Sequence, residues 1–584
     1  MKITDFSPPL SDRLLKEYNF FELYPFDGGG NFIHMEILGT VDDREIFEKI
    51  KNGALNDFGT LPEIASRRFE FWRTIEKSCW INRYYFIVPL AKRYWLTKDE
   101  SIAVLVKDTM LNFIRGNKPP QGKEEIGNHI RRVYENRDSN YNSKTIEEYS
   151  LDEHDVEYIW FDFQPASRVI HFLYSMYFLK DSPSVSSAEW EEMENSIKDH
   201  ALLIMTGEKH FNKLKISDNH QSVRSLALLF AAAFFNGADI ASEFLSEGIR
   251  IASFHILNDY FNDGVLKEVS PSYHFFETWH MRDAYLLSRQ YAFALPEEAS
   301  AILKNAGLFS SAIAQPDSTS AVINDGYALK LEGFLASLPD DCRVSGEDSG
   351  HSYFPDAGLA VFRDAGTYLL FDFSCFTGQF SHYHGGKNSF TYWAGNKPFF
   401  IDSGCCNYDN PLFAKWFKTP AAHSSLLIDG CGDAALEGTY KWLYFPDLCH
   451  TPWTKEADDS QIISVSLKSP VPEWKDIEWE RKIKVSGDRH VSISDRIIAA
   501  GSKKLTFNFV LHPDVSYDIR DGEVFLSNGE TELTMSFCSW SEAVIDRLPC
   551  KAYIGGELKN TFRITVSLMA VGGENIFCTI IKVK

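Results

Sequence analysis

Along the first half of the chain, apolar positions recur with helical spacing. REIFEKIKNGAL, VEYIWFDFQPASRVIHFLYSMYFL, SVRSLALLFAAAFF and AYLLSRQYAFAL each place large side chains three and four residues apart. That spacing gathers them on one face of an α-helix. Polar segments bearing Gly and Pro separate the runs. Helical hairpins packed in a ring or solenoid have this texture. No strict period emerges, so no defined repeat family is predicted.

The texture changes near residue 340. SLPDDCRVSGEDSG is polar and rich in turn formers, which marks a linker. Beyond it, TYLLFDFS, SFTYWAG, QIISVSLK, VSISDRII, LTFNFVLH, RITVSLMAVGG and FCTIIKVK alternate β-branched or aromatic residues with polar ones. NG and GG turns punctuate them, which predicts antiparallel strands joined by tight connections. The expected organisation is multidomain, α then β: a helical domain over residues 1–335 and an antiparallel β-sandwich over residues 336–584. A cleft between such domains is the default ligand site.

Charge narrows the partners. Against 59 Lys and Arg stand 81 Asp and Glu, a net charge of −22. A wide basic face for nucleic acid is not expected, because phosphate contacts dominate that binding. An anionic substrate would need a local basic pocket rather than the field of the whole protein. The longest apolar run, LALLFAAAFF at 226–235, is too short to span a bilayer, so no membrane partner is expected. The N-terminal segment lacks the apolar core of a secretory leader, so the expected location is cytoplasmic, or periplasmic if a leader has been removed. Ten cysteines without CxxC spacing read as free thiols in a reducing compartment.

Three polar clusters carry candidate chemistry. Asp218-Asn219-His220-Gln221-Ser222-Val223-Arg224 opens a predicted helix. Donors there meet an anion where the helix dipole already favours it, and Arg224 can share a face with His220. Asp and Asn also cap helices routinely. The second cluster, Lys267 to His274, bends at Pro271 and delivers Tyr273 and His274 onto the next helix. A tyrosine beside cations or histidine can exchange a proton; it can equally be packing. The third runs FSHYHGGKNSF, with His382 and His384, followed by Asp402 in FFIDSG and His423 in AAHSSLLIDG. His, Asp and His on neighbouring strands offer N and O ligands for zinc. They can also be hydrogen-bonded core residues.

Taken in order, DNHQSVRS, KEVSPSYHFF, SHYHGGKNSFTYWAGNKPFFIDSG and AAHSSLLIDG resemble the heparinase II/III-type polysaccharide lyases. WINRYYFIVPLAKRYWLTKDE and EYIWFDFQPASRVIHF resemble that family's helical domain. The resemblance covers roughly residues 60–440 by motif. It implies an incomplete (α/α) toroid followed by an antiparallel β-sandwich, and β-elimination at uronic acid residues of an anionic glycan. It implies that Asn219 and His220 engage the substrate carboxylate, that Tyr273 is the catalytic tyrosine, and that His382 is the catalytic histidine of the sandwich. It implies one structural zinc per chain, held by His384, Asp402 and His423. Arg224, His274 and Tyr408 are the expected further substrate contacts. One departure stands out: the family's H-x-H-x-D pattern reads His382-Tyr383-His384-Gly385-Gly386 here, without the Asp.

The residue types suit the chemistry. A uronate C5 proton is weakly acidic until donors neutralise the adjacent carboxylate. Its removal needs a base and the departing O4 needs an acid. Tyr273 is the expected acid; the base is Tyr273 or His382, according to whether elimination is syn or anti. Two other readings compete. A toroid glycoside hydrolase would need two carboxyl groups flanking the bond, and Asp263, Glu268 and Glu277 are available. A glycan-binding or glycan-assembly protein could keep the fold without turnover.

Overall fold

The structure is a computed structural model that describes residues 6–9, 82–84, 86–136, 159–160, 163–343, 350–364, 366–375, 382–406, 408, 410–486, 490–538 and 542–584. The run REIFEKIKNGAL lies outside them. The described residues before the linker form ten helices: α1 (Ile87–Thr97), α2 (Glu100–Gly116), α3 (Gly122–Asn136), α4 (Gln164–Leu179), α5 (Ser187–Phe211), α6 (Asn219–Phe234), α7 (Asp239–Asn258), α8 (Pro271–Tyr291), α9 (Ala299–Ala312) and the short α10 (Glu332–Ser337). A toroid-like helical region is thus followed by antiparallel sheet.

The helices start where the sequence supplies caps. Ser186 and Glu189 close a reciprocal capping box on α5, satisfying amide donors that an α-helix leaves open. Asp218 caps α6 by accepting the Gln221 N–H. α6 packs against α4, α5, α7 and α8. A helix touched on so many sides is apolar nearly all round, which accounts for LALLFAAAFF. No helix among the described residues is long and apolar enough to cross a membrane.

Past the linker, β1 (Ser352–Phe354), β2 (Leu359–Asp364), β3 (Thr367–Asp372), β4 (Ser389–Ala394) and β5 (Lys397–Phe400) form one antiparallel sheet in chain order. Both faces of this sheet are apolar. Leu359, Val361, Tyr368 and Leu370 belong to the core shared with the helices. Their alternating neighbours Ala360, Phe362, Leu369 and Phe371 belong to the interior of the sandwich. Side chains alternate across a strand, so a strand covered on both sides must be apolar throughout. A four-stranded sheet, Val544–Ile554, Glu557–Ala570, Lys503–Val510 and Leu426–Ile428, adjoins it through the bridge between Phe400 and Leu511. Opposite both lies a nine-stranded sheet whose central strands, Ile477–Ser486 and His490–Ala499, bury every second residue.

One charged pair sits inside this sandwich. Arg481 and Asp495 are cross-strand partners, both essentially inaccessible to solvent. Arg481 donates to both Asp495 oxygens, at 2.8 and 3.1 Å. Its Nη1 donates to the carbonyls of Asn388 (2.7 Å) and Ser424 (3.0 Å). Those carbonyls belong to the segments that carry His384 and His423, so the pair ties the sandwich core to the cleft edge. Arg481→Leu should therefore leave the Asp495 charge in the core without its counter-charge, with the Trp479 Nε1–H still donating to it at 2.8 Å. The expected loss is about 3–5 kcal/mol of unfolding free energy, read from denaturant titration; a loss below about 1 kcal/mol, the range of an exposed pair, would show that the pair is not load-sharing.

Candidate active site

Four segments converge where the helical region meets the sandwich. The first turn of α6 brings Asn219 and His220. The entry of α8 brings Tyr273. The turn Ile323 to Gly326 brings Asp325. The sandwich loop before β4 brings His382 and His384. Tyr408 completes the group.

Pro271 occupies the first turn of α8, where its missing N–H costs nothing and its fixed φ suits the helix. Tyr273, two residues on, lays its ring on His382 with centroids 3.5 Å apart and planes 22° from parallel. Its hydroxyl shares a 2.7 Å hydrogen bond with the Tyr408 hydroxyl. The Tyr408 oxygen also lies 3.5 Å from His382 Nδ1. Burial holds the Tyr408 hydroxyl well above its ordinary pKa, and the Asp325 charge adds to this, so Tyr408 stays protonated.

His382 stands between two carboxyl groups. Nδ1 is 2.8 Å from Asp325 Oδ2 and Nε2 is 3.3 Å from Glu268 Oε2. Burial depresses the imidazole pKa, against the opposing pull of Asp325, so the ring is neutral at pH 7. Glu268 accepts from Asn219 Nδ2 at 3.1 and 3.3 Å. Burial and the Glu277 charge push the Glu268 carboxyl well above the usual carboxylate range. Burial also acts to raise Asp325, but hydrogen bonds from His382 and His384 outweigh it and bring this carboxyl below its ordinary value. His220 is half-buried, with its ring 4.4 Å from that of Phe163.

The loop carrying His382 and His384 approaches its neighbours closely. Gly386 has φ +84°, and a Cβ there would lie 3.0 Å from His423 Cβ. Glycine is the residue that fits both demands. Asp433 accepts the N–H groups of Gly386 and Lys387 at 2.6 and 2.9 Å.

The residues expected to hold a metal are all buried. His423 Nδ1 lies 2.9 Å from Asp402 Oδ2, and its Nε2 lies 3.1 Å from the Phe417 carbonyl. The His384 ring is 5.5 Å from the His423 ring. His384 Nε2 lies 2.7 Å from Asp325 Oδ1, while its buried Nδ1 meets no hydrogen-bond partner. Among the described residues, the group whose ligand atoms all lie within 4.8 Å of one another is Asp325, His384 and Cys405. A buried Asp/His/Cys cluster could therefore coordinate a metal ion.

Two expected substrate contacts point elsewhere. His274 is buried with both ring nitrogens on backbone partners, the Leu266 N–H at 3.2 Å and the Ala306 carbonyl at 3.1 Å. Burial lowers its pKa to about 4. Both contacts are to backbone, because the next position along a helix from Tyr273 turns into the core. Arg224 pairs with the buried Glu208 of α5, and the same carboxyl takes Gln221 Nε2 at 2.7 Å. A guanidinium so engaged holds α6 to α5. Of the hydrolase carboxyls, Asp263 accepts the N–H groups of Asp356 and Ala357; Glu277 lies 3.5 Å from His280 Nδ1 and acts electrostatically on Glu268; and Glu268 contacts His382.

No motif in the sequence marks Asp325 or Cys405 as a site residue, and Glu268 stands out there only as part of the Lys267–His274 cluster and as a hydrolase carboxyl. Asp325 lies in INDG, an ordinary turn sequence between apolar runs. Its carboxyl matters because of what the fold brings to it. His274→Ala should strand the Leu266 N–H and the Ala306 carbonyl, costing about 1–3 kcal/mol for an unsatisfied buried group. A thermal melt should show this loss, while ligand affinity at the cleft stays unchanged in the folded variant; a selective loss of affinity would return His274 to the cleft.

Comparison with known proteins places this site in context. The family model described as heparinase II/III N-terminus matches residues 69–344. The one described as heparinase II/III-like, C-terminal, matches residues 347–551. A heparin-sulfate lyase from Bacteroides stercoris is 19% identical over 483 residues, covering 78% of this chain and 65% of that protein. The chain thus spans about two thirds of the length of that curated relative. A crystal structure of heparinase III is 15% identical with a TM-score of 0.70, covering 98% of this chain and 89% of that one. A heparan sulfate lyase from Pedobacter heparinus is 15% identical with a TM-score of 0.60, covering 96% of this chain and 86% of that one. At these identities the likeness to solved structures is one of fold.

Proposed function

We propose that this chain, which belongs to the heparinase II/III family, is a polysaccharide lyase that cleaves uronic acid-containing glycans by β-elimination to 4,5-unsaturated products. The observation that carries the reading is the contact of Tyr273 with His382 beside the donors of the α6 first turn. A phenol and a neutral imidazole held side by side present an acid and a base to one substrate. Amide and imidazole donors at a helix N-terminus suit a carboxylate. The names of the relatives, heparin-sulfate lyase and heparan sulfate lyase, point to an anionic glycosaminoglycan-type substrate.

The roles follow from the chemistry of elimination. Asn219 and His220 bind the uronate carboxylate and neutralise the charge that grows on it as C5 loses its proton. Tyr273 donates a proton to the departing O4. When proton and leaving group depart on opposite faces, His382 is the base; when they share a face, Tyr273 serves as both. Tyr408, bonded to Tyr273, holds that hydroxyl in place. No water enters the products, which separates this reaction from hydrolysis.

We further propose one structural zinc per chain at His384, Asp402 and His423, whose ligand atoms would have to draw together, since they do not all lie within 4.8 Å of one another. His384 Nδ1 is a buried lone pair without a partner. If His423 Nε2 donates to the Phe417 carbonyl, His423 Nδ1 turns a lone pair toward Asp402 Oδ2 at 2.9 Å. A proton or a cation between them removes that repulsion, and the N and O donors suit zinc. Bound there, zinc would supply a fixed anchor for the loop that carries His382. The alternative set, Asp325, His384 and Cys405, shares His384.

Two experiments test these readings. A panel of uronate glycans should yield ultraviolet-absorbing unsaturated product, and Tyr273→Phe should lower kcat about 10²–10⁴-fold without unfolding the protein. Solvent ¹⁸O at the new anomeric carbon would instead identify a hydrolase, and glycan binding without product would identify a binding protein. For the metal, elemental analysis should find about one zinc per chain. His423→Ala should lose it and melt at lower temperature, whereas Cys405→Ala should retain it; the reverse pattern would assign the Asp/His/Cys set.

A further inference from the structure

Asp325 is shared by the two histidines of the sandwich loop. Oδ2 lies 2.8 Å from His382 Nδ1 and Oδ1 lies 2.7 Å from His384 Nε2. An ionised carboxylate only accepts hydrogen bonds, so each of these nitrogens must carry its proton toward Asp325. A neutral imidazole has one N–H. His384 is then the Nε2–H tautomer, which leaves its Nδ1 as the partnerless lone pair already noted. His382 is the Nδ1–H tautomer, which leaves Nε2 as the basic atom, 3.3 Å from the Glu268 Oε2 that also accepts from Asn219.

The carboxylate is held from both domains. The Asp325 N–H donates to the His382 carbonyl at 3.1 Å. Its own carbonyl accepts from Ser270 Oγ, at the head of the Tyr273 helix, at 2.9 Å. The adjacent Asn324 accepts the His384 N–H at 3.0 Å and donates to the Val269 carbonyl at 2.7 Å. The Asn324 backbone has φ +52°, a left-handed turn for which Asn is better suited than most residues. Asp325 is fully buried, so no water competes for its oxygens.

We propose that Asp325 is a positioning residue: it fixes His382 as the Nδ1–H tautomer and thereby makes Nε2 the atom that takes the C5 proton of the sugar. The assignment rests on the lyase reading, and on proton and leaving group departing on opposite faces, for the identity of that proton; the tautomer itself does not. The bond formed is N–H at Nε2; the bond broken is C5–H; the electron pair passes into the C4–C5 double bond as O4 leaves with a proton from Tyr273. His382 then carries two protons, and its imidazolium charge lies against the Asp325 carboxylate. A carboxylate behind a catalytic imidazole performs the same orienting and charge-stabilising service in hydrolytic triads.

The test reads the tautomer directly. Long-range ¹H–¹⁵N correlation on the intact ¹⁵N-histidine-labelled protein, with the His382 signals identified by their loss in His382→Gln, should show protonated Nδ1 and unprotonated Nε2. In Asp325→Ala, Nδ1 loses its acceptor, so His382 should lose the Nδ1–H signature. On the turnover substrate, kcat should fall about 10²–10⁴-fold while KM changes less than threefold, because the sugar does not touch Asp325. Wild-type His382 found as the Nε2–H tautomer would overturn the proposal, and so would an Asp325→Ala variant that keeps the Nδ1–H signature and wild-type kcat. The wild-type spectrum decides even if the variant does not fold. Absence of elimination on every uronate tested would defeat the lyase reading and leave the tautomer result standing.

Discussion

The site depends on a sheet that is apolar on both faces. β1 to β5 bury one set of alternating side chains against the helices and the other against the sandwich. Because each face has a dry partner, the sheet cannot slide or lift without exposing large aromatic and aliphatic groups to water. That constraint places the loop before β4 against the N-terminal ends of α6 and α8. Tyr273 and His382, far apart in the chain, are thereby held in ring contact.

Polar side chains then refine what packing sets roughly. Arg481 and Asp495 place charge inside the sandwich and direct the guanidinium at the carbonyls of Asn388 and Ser424. Lys387, also buried, reaches Asn324 Oδ1 and Asp372 Oδ2, both at 2.9 Å. Isolated buried charges are costly, and these are accompanied by directional partners that hold loops in one arrangement. The Ile323 to Gly326 turn serves the same purpose between the helical region and the sandwich. It bonds the Val269–Ser270 segment on one side and the His382–His384 segment on the other.

The opposite behaviour of two nearby carboxyls follows from the same geometry. Asp325 receives two imidazole N–H groups and is held ionised. Glu268 receives the Asn219 amide but faces other carboxyls, so burial dominates and favours its protonated form. A site so arranged has a neutral imidazole between an anion and an acid. That is a suitable resting state for a group that must accept a proton and then return it.

The order of helices before strands was legible from periodicity, because a helix with one buried face and a strand with alternating burial leave different spacings in the chain. DNHQSVRS and KEVSPSYH were legible as helix entries, since Asp218 and Pro271 are local signals that act within a turn. Local signals could not say where a side chain ends up. His274 adjoins Tyr273 in sequence, yet one step along a helix turns by about 100°, and the core claims it. Arg224 shares a helix with His220, yet Glu208 from another helix takes its charge. Asp325 reads as a turn residue until the sandwich loop brings two histidines to its oxygens. The sequence by itself determined the element types, the α-then-β order and the residue types able to exchange protons. Tertiary structure alone decided which of them meet, which nitrogen of His382 faces the cleft and which carboxyl keeps its charge, because those outcomes depend on contacts between segments that are distant in the chain.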